Sequence, residues 1–575
     1  MKKEFNRRLF LKNSIAATGG IFLTANVISC SDDDDPGIEV PSDLTNINFD
    51  QGVASFDPTT SSVIIWTRYS AAMEANLLWQ ISDTPTFTNV LRSGEIMATA
   101  ARDHTVSIEI TQLDAGSKLY YRFIQVDSSA VSVTGETITL PSEDPSQFKI
   151  AVASCANLPT GLFNVYNAMA NSDADVIIHL GDYIYEYALG QYGTTDFTVS
   201  SGRAPEPNAE ILSLDDYRAR YRQYRSDADL QLAHQLKPFI CVWDDHEITN
   251  DAFRDGAENH QPDEGDFETR KQNALQAYSE YMPLMTSDIN LIYRSFQVGD
   301  LVNLMMLDTR LIGRDEQLNL NSYADANFNI DFAAFQADLT SPTRTLLGST
   351  QRDWLLGQIN GSNAEWQVLG QQVLMGRMNI PVELLTLFGV IVQEVTTTGS
   401  VSPATFGVFQ ATLTELVTLK ARSLQGDPTL TAAEIARVNT IIPYNLDAWD
   451  GYPAEREVIL SALASKKTVV LAGDTHNAWF NQITDLAGNV VANEFATSSV
   501  TSPGFEGFLG DDPAAIGAFE AAITLLIDGL QYFDASQRGF LSVTFQAGSA
   551  DAEWTFVDTI TSSTFATSVG NNVTI

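Results

Sequence analysis

Val176-Ile177-Ile178-His179-Leu180-Gly181-Asp182-Tyr183-Ile184-Tyr185-Glu186-Tyr187 runs from an apolar, β-branched segment into Gly-Asp and then into closely spaced tyrosines. The apolar run reads as a fully buried parallel strand, and the glycine at its end permits a sharp backbone turn. In open α/β sheets, ligands bind just beyond the carboxyl ends of such strands. Asp182 therefore stands where a metal or substrate would sit, with Tyr185 one turn further on. Alone, an Asp after a strand is more often a turn former or a helix cap. Here the pattern recurs. Strand-like runs also end in Ser154-Cys155, in Trp243-Asp244-Asp245-His246-Glu247 and in Gly473-Asp474-Thr475-His476. Thiol, phenol, carboxylate and imidazole donors gathered on one sheet edge are metal-ligand chemistry.

Taken together, these motifs resemble the signature of PhoD-type alkaline phosphatases, a branch of the calcineurin-like metallophosphoesterases related to purple acid phosphatases. Supporting segments match too: Gly52-Val53-Ala54-Ser55 with Ile65-Trp66-Thr67-Arg68, Leu307-Asp308-Thr309-Arg310, Trp449-Asp450-Gly451-Tyr452 and Thr501-Ser502-Pro503-Gly504. The resemblance runs from about Asn46 to the C-terminus. It implies a four-layer α/β/β/α metallophosphoesterase sandwich behind an immunoglobulin-like β-sandwich. The implied activity is hydrolysis of phosphate esters by a metal-activated hydroxide.

Two-metal phosphoesterases hold their cations about 3.5–4 Å apart, which demands one carboxylate able to touch both. Asp182 is the choice. Tyr185, a hard oxygen donor, Cys155 and His476 would complete one ion. In purple acid phosphatases an aspartate takes the place of Cys155, so the cysteine marks the PhoD-like branch and implies Fe³⁺. Asp245 and Asp474 fall to the second ion, where oxygen donors favour Ca²⁺. A second Ca²⁺ is left open, and Mn²⁺ or Zn²⁺ are the alternatives.

His246 follows a ligand as the substrate-facing histidine does in the wider superfamily. Its expected role is to stabilise phosphoryl oxygens or to protonate the leaving alkoxide. Asn250 is expected to orient substrate or join a metal shell, with Asp244 and Glu247 as bracing partners. His179 reads as a core histidine, and Tyr183 and Tyr187 as packing. Arg218, Arg220, Arg222 and Arg225 read as a solvated helix face with carboxylate partners. Arg310 stays open between a site role and a structural one.

At 575 residues the chain is long for one core. The expected division is a signal at 1–30, an acidic tether at 31–45, a β-sandwich at 46–142 and a catalytic domain at 147–575. Within the last, a helical insertion at about 378–440 lacks ligand-like residues. Thr468–Leu471 is expected to open the last core strand, and Phe540–Val557 to form two antiparallel closing strands. With 33 basic against 72 acidic residues the net charge is −39, which argues against nucleic acid as a stable partner.

Asn6-Arg7-Arg8-Leu9-Phe10-Leu11-Lys12 looks like a twin-arginine export signal and Val27-Ile28-Ser29-Cys30 like a lipobox. Asp32 to Asp35 resemble a surface-targeting tag. The expectation is an exported lipoprotein anchored through Cys30 at the outer membrane or cell surface, with the periplasm as the alternative. The three cysteines do not make a disulfide scaffold. A bond between Cys155 and Cys241 is conceivable, but Cys241 sits inside a buried run.

Two other functions stay open. One is a phosphodiesterase or phospholipase D-like enzyme of the same fold. The other is a surface adhesion or glycan-binding lipoprotein with structural metals.

Overall fold

The strands expected to carry ligands lie in two sheets whose carboxyl ends share one edge. The structure, a computed structural model, describes residues 43–71, 73–126, 128–325, 330–510 and 512–575. The segment read as an export signal, Cys30 and nearly all of the expected tether fall outside the described residues.

The first sheet runs in the order Thr567–Thr574, Ser549–Val557, Arg538–Gln546, Phe148–Ala153, Val176–His179, Phe239–Cys241, Val53–Phe56, Val63–Arg68, Thr105–Ile110. Phe148–Ala153, Val176–His179 and Phe239–Cys241 are parallel, so Cys155, Asp182 and Asp245 emerge together. The second sheet runs Arg294–Val298, Val302–Met306, Trp366–Gly370, Lys467–Ala472, Val490–Ala496, Ala478–Thr484, Leu530–Asp534. Lys467–Ala472 is thus not the last core strand, because three more follow it in this sheet. Arg538–Gln546 and Ser549–Val557 pair antiparallel, as the alternation of the closing segment requires.

Side-chain alternation explains how the sheets stack. Val302, Leu304, Trp366, Val368, Val469 and Leu471 pack into the same cluster as Ile150, Val152, Ile177 and Leu541 of the first sheet. Met305, Leu369, Val470 and Ala472 turn the other way and meet Leu355, Ile359, Ile459 and Leu463, which lie on helices. Each such buried aliphatic side chain stabilises the fold by about 1.5–3 kcal/mol relative to exposure. Burial on both faces is why these strands read as continuous apolar runs.

The first sheet crosses the expected boundary near Pro141. Phe239 pairs in parallel with Phe56, which brings Val53–Phe56, Val63–Arg68 and Thr105–Ile110 into the catalytic sheet. Within Val63-Ile64-Ile65-Trp66, Val63 and Ile65 enter the core of the lead region, whereas Ile64 and Trp66 enter the main core. The Trp66 indole donates to the Glu280 carbonyl at 2.7 Å.

The insertion consists of helices Val382–Thr398, Pro403–Leu424 and Ala432–Asn439, framed by the paired strands Asn379–Pro381 and Ile441–Pro443. Ser402 and Thr431 cap the second and third of these helices, and Gly399, at φ 80°, ends the first in the left-handed conformation. Among the described residues no helix is long and apolar enough to cross a membrane.

Candidate metal centre

All six expected ligands converge. Donor atoms of Cys155, Asp182 and His476 lie within 4.8 Å of one another. The same holds for Asp182, Asp245 and His246, and for Asp244, Asp245 and Asp474. Asp182 belongs to the first two groups and Asp245 to the last two, so the three groups form one chain of donors. The Tyr185 hydroxyl donates to Asp182 at 2.9 Å and lies 3.3 Å from His476 Nε2.

The backbone is bent to make this happen. Cys155, Asp182, Asp474 and His476 have φ of 59°, 56°, 65° and 63°. Asp and His tolerate this left-handed region, but for Cys it is strained, at a cost of order 1–3 kcal/mol. Gly181, at φ 102°, is required because a Cβ there would collide with Asp244. Glu247 holds the bent loops: its carboxylate accepts from the amides of Asp182 at 3.0 Å, Tyr183 at 2.6 Å and Asp244 at 2.7 Å. That is the bracing role expected of it.

Electrostatics show what the site lacks without cations. Burial raises Asp182, Asp474, Cys155 and Tyr185 well above their usual ranges, and neighbouring carboxylates add to each rise. Burial also pushes Asp244 up to about 6, against the pull of Arg310. Asp182 Oδ1 and Asp244 Oδ2 are buried with no hydrogen-bond partner among the described residues. Orphaned carboxylate oxygens beside a thiol, a phenol and an imidazole fit a cation site, because a bound cation inverts each of these proton preferences.

The two histidines differ. His476 Nδ1 donates to the Pro503 carbonyl at 2.8 Å, which leaves Nε2 free to ligate. Burial lowers its pKa to about 4. His246 Nδ1 faces Glu186 Oε2 at 2.7 Å. Burial alone would lower His246, but Glu186, Asp245 and Asp182 outweigh it and raise the ring well above the ordinary value.

Several residues escaped the sequence reading. Glu186 is fully buried and also accepts from the Asn250 amide and the Asn259 side chain, both at 2.8 Å. Asp447, two residues before the recognised Trp449-Asp450, pairs with Arg310 at 2.9 Å. The Asp251 amide donates to Asp245 at 2.6 Å. Arg310 itself lies fully buried among four carboxylates, reaching Asp474 at 3.0 Å and Asp245 at 3.7 Å besides Asp244 and Asp447. The sequence left Arg310 open between a site role and a structural one; its four carboxylate partners place it at the donor cluster. Asn250 turns its side-chain amide toward Glu258 at 3.2 Å.

The helix Leu214–Arg225 is not a solvated face. Arg218 and Arg222 do pair with Glu280 and Asp103. Arg220 and Arg225 are buried, and Arg220 donates to the carbonyls of Tyr185, Tyr187, Glu206 and Pro207. Arg225 lies 4.2 Å above the Trp66 ring. His179 is a core residue, bonded to the Tyr166 hydroxyl at 2.7 Å. Cys155 and Cys241 are free.

The model of the PhoD-like phosphatases matches residues 150–554, and that of their N-terminal domain matches residues 37–141. The chain belongs to the PhoD-like phosphatase family. It is 30% identical over 526 residues to alkaline phosphatase D of Bacillus subtilis (strain 168), covering 87% of this chain and 77% of the relative. A solved structure described as that of PhoD superposes with a TM-score of 0.71 at 28% identity, covering 93% of this chain and 91% of that one. The chain is therefore a phosphoric ester hydrolase with a mixed α/β fold, and its family is metal-dependent.

Proposed function

We propose that this is an exported phosphatase that cleaves phosphate esters at the centre built around Asp182. The shared position of Asp182 in two donor groups carries the reading. Cys155, Asp182, Tyr185 and His476 would hold Fe³⁺, and Asp245 and Asp474 one or two Ca²⁺, with Mn²⁺ or Zn²⁺ as alternatives. When bound, such ions activate water as a nucleophile and neutralise the charge developing at phosphorus.

The chain's own residues do the rest. Glu186 keeps a proton on His246 Nδ1, so that Nε2 carries a second proton toward the ester oxygen that leaves. Arg310 offsets Asp244, Asp447 and Asp474, which keeps the acidic floor from repelling an anionic ester. Arg220 fixes the carbonyls of Tyr185 and Tyr187, and with them the phenol of Tyr185. The layering of two sheets between helices supports a four-layer α/β/β/α catalytic domain over 147–575, with an immunoglobulin-like unit at 46–142 that shares three of its strands with the first catalytic sheet. The twin-arginine and lipobox residues support lipid anchoring through Cys30 outside the cytoplasm.

Elemental analysis of the mature protein, an absorption spectrum and a nitrophenyl phosphate assay on one sample test the reading. Iron with calcium, a visible phenolate-to-iron band and turnover abolished by chelation are expected. A folded protein that turns over the ester with no stoichiometric metal would refute it. Zinc or manganese alone would keep the hydrolase and overturn the assignment of Tyr185 and Cys155 to iron.

A further inference from the structure

The mouth of the site is built from rings. Tyr187 lies 5.4 Å from His246, ring centre to ring centre, and 5.5 Å from Tyr192. Tyr192 in turn stacks over His476 at 6.2 Å with the planes 27° apart, and stands 5.9 Å from Tyr185. These rings therefore form one continuous surface running outward from the donor atoms. Tyr192 is 38% exposed and its neighbour Leu189 also 38%, so an apolar rim faces solvent on a protein of charge −39.

The loop carrying the rim is held in shape. Ala188 N donates to Gln191 Oε1 at 2.9 Å, Gly190 N to Thr194 Oγ1 at 3.0 Å and Leu189 N to the Asn208 carbonyl at 3.0 Å. Gly193, at φ 80°, lies so close to Asn157 that no Cβ fits there. From Tyr187 to Gly202 the sequence has no Lys or Arg, so this loop offers no cationic side chain to a phosphate. What it offers is flat, partly exposed π-surface beside the two histidines.

We propose that Tyr187 and Tyr192 form a stacking subsite for the alcohol half of the ester, selecting esters whose alcohol bears a flat aromatic ring such as a nucleobase. This rests on the hydrolase reading above: with the phosphoryl group at the donor cluster, these rings stand beside it within reach of the ester's alcohol. Stacking of a base on an aromatic side chain contributes about 1–3 kcal/mol. That amounts to about 5- to 150-fold in kcat/KM.

The test compares esters with the same type of leaving alcohol, with and without a base. Adenosine 5′-phosphate is set against ribose 5-phosphate, and the methyl diester of each against the other, on the metal-loaded enzyme. The adenosine ester should be favoured at least about 5-fold in whichever pair is turned over. Tyr192→Leu combined with Tyr187→Leu should bring the ratio close to one, and Tyr192→Phe should retain it. Titrating adenosine 5′-phosphate should lower the adenine absorbance with the wild type and not with the double variant.

A wild-type ratio near one, or a ratio that survives in a folded double variant, overturns the subsite and leaves the hydrolase intact. So does turnover of nitrophenyl phosphate without turnover of either pair. Loss of every activity, nitrophenyl phosphate included, would fall on the hydrolase reading instead.

Discussion

His246 and His476 flank one donor cluster, yet the protein sets their protons in opposite directions. On the first sheet, the His246 ring nitrogen faces a carboxylate, Glu186, over a bed of further carboxylates. On the second, the His476 ring nitrogen faces a neutral carbonyl, that of Pro503. Each arrangement fixes a tautomer, but only the carboxylate stabilises a positive ring. The first side is thus suited to donate protons and the second to ligate. Each histidine's surroundings also have a clamp. Arg220 holds the carbonyls behind Tyr185, whereas on the His476 side Arg538, reaching over from the first sheet, holds Thr501 and Ser536 carbonyls and pairs with Glu506, which in turn accepts from the Gly504 amide next to Pro503.

The comparison breaks most completely at Asp182, which serves both sides. Asp182→Ala should cut kcat/KM by about 10³-fold or more and remove bound metal in the same sample. Full activity in the folded variant would remove Asp182 from the centre.

Next in size is the clamp of the first side. Arg220→Ala leaves four carbonyls, the enclosed one of Tyr185 among them, short of a donor and should lower stability by about 3 kcal/mol, read from denaturant unfolding. Arg538→Ala, which is less fully enclosed, should cost less; the reverse order would show that the second side carries the strain.

Glu186→Gln should reduce kcat by about 10- to 100-fold. With the neighbouring charge gone, the His246 pKa falls. The alkaline limb of the pH–rate profile should therefore move to lower pH, and an unmoved limb would separate His246 from proton delivery.

The smallest effect concerns stability of the metal-stripped protein against pH. His476 is depressed to about 4, so its contribution is present above its unfolded value near 6.5 and is lost as pH falls from there toward 4. His246 is raised, so its contribution is complete below about 6.5 and is lost as pH rises beyond that value. His476→Gln should flatten the acid side of the stability curve and His246→Gln the alkaline side, each by up to about 1 kcal/mol per pH unit. Identical curves for the two variants would erase the distinction between the sides.

Much of this centre was legible because its ligands follow local rules. A buried apolar run, a glycine and a donor at a strand end announce themselves within ten residues, and repetition of the pattern supplied Cys155, Asp182, Asp245, Asp474 and His476. What stayed hidden is what distance in the chain conceals. Glu186 lies in a quoted motif, but its task depends on His246, sixty residues later. Asp447 and Arg310 lie 137 residues apart, and Arg310 meets Asp244 only when the second sheet closes on the first. Arg220 and Arg225 sit among other arginines in a sequence that reads as solvated. Only packing against the Tyr185 loop and Trp66 shows them to be enclosed. The sheet shared by the lead region stayed hidden for a related reason: strands that alternate in the side chains they give to two cores show the same pattern as strands of a free-standing sandwich.

That shared sheet has a consequence for handling the protein. Phe239–Cys241 is three residues long and meets Phe56 on its outer side, so the lead region acts as the cover of an otherwise open strand. Removing residues up to Pro141 would bare unpaired amides and carbonyls, strip Ile64 and Trp66 from the main core, and leave the half-buried Arg294 without Asp57. Such an edge recruits other chains. A truncated catalytic half is thus expected to self-associate instead of surviving as a smaller enzyme, and the lead region cannot be exchanged for a tag or a spacer.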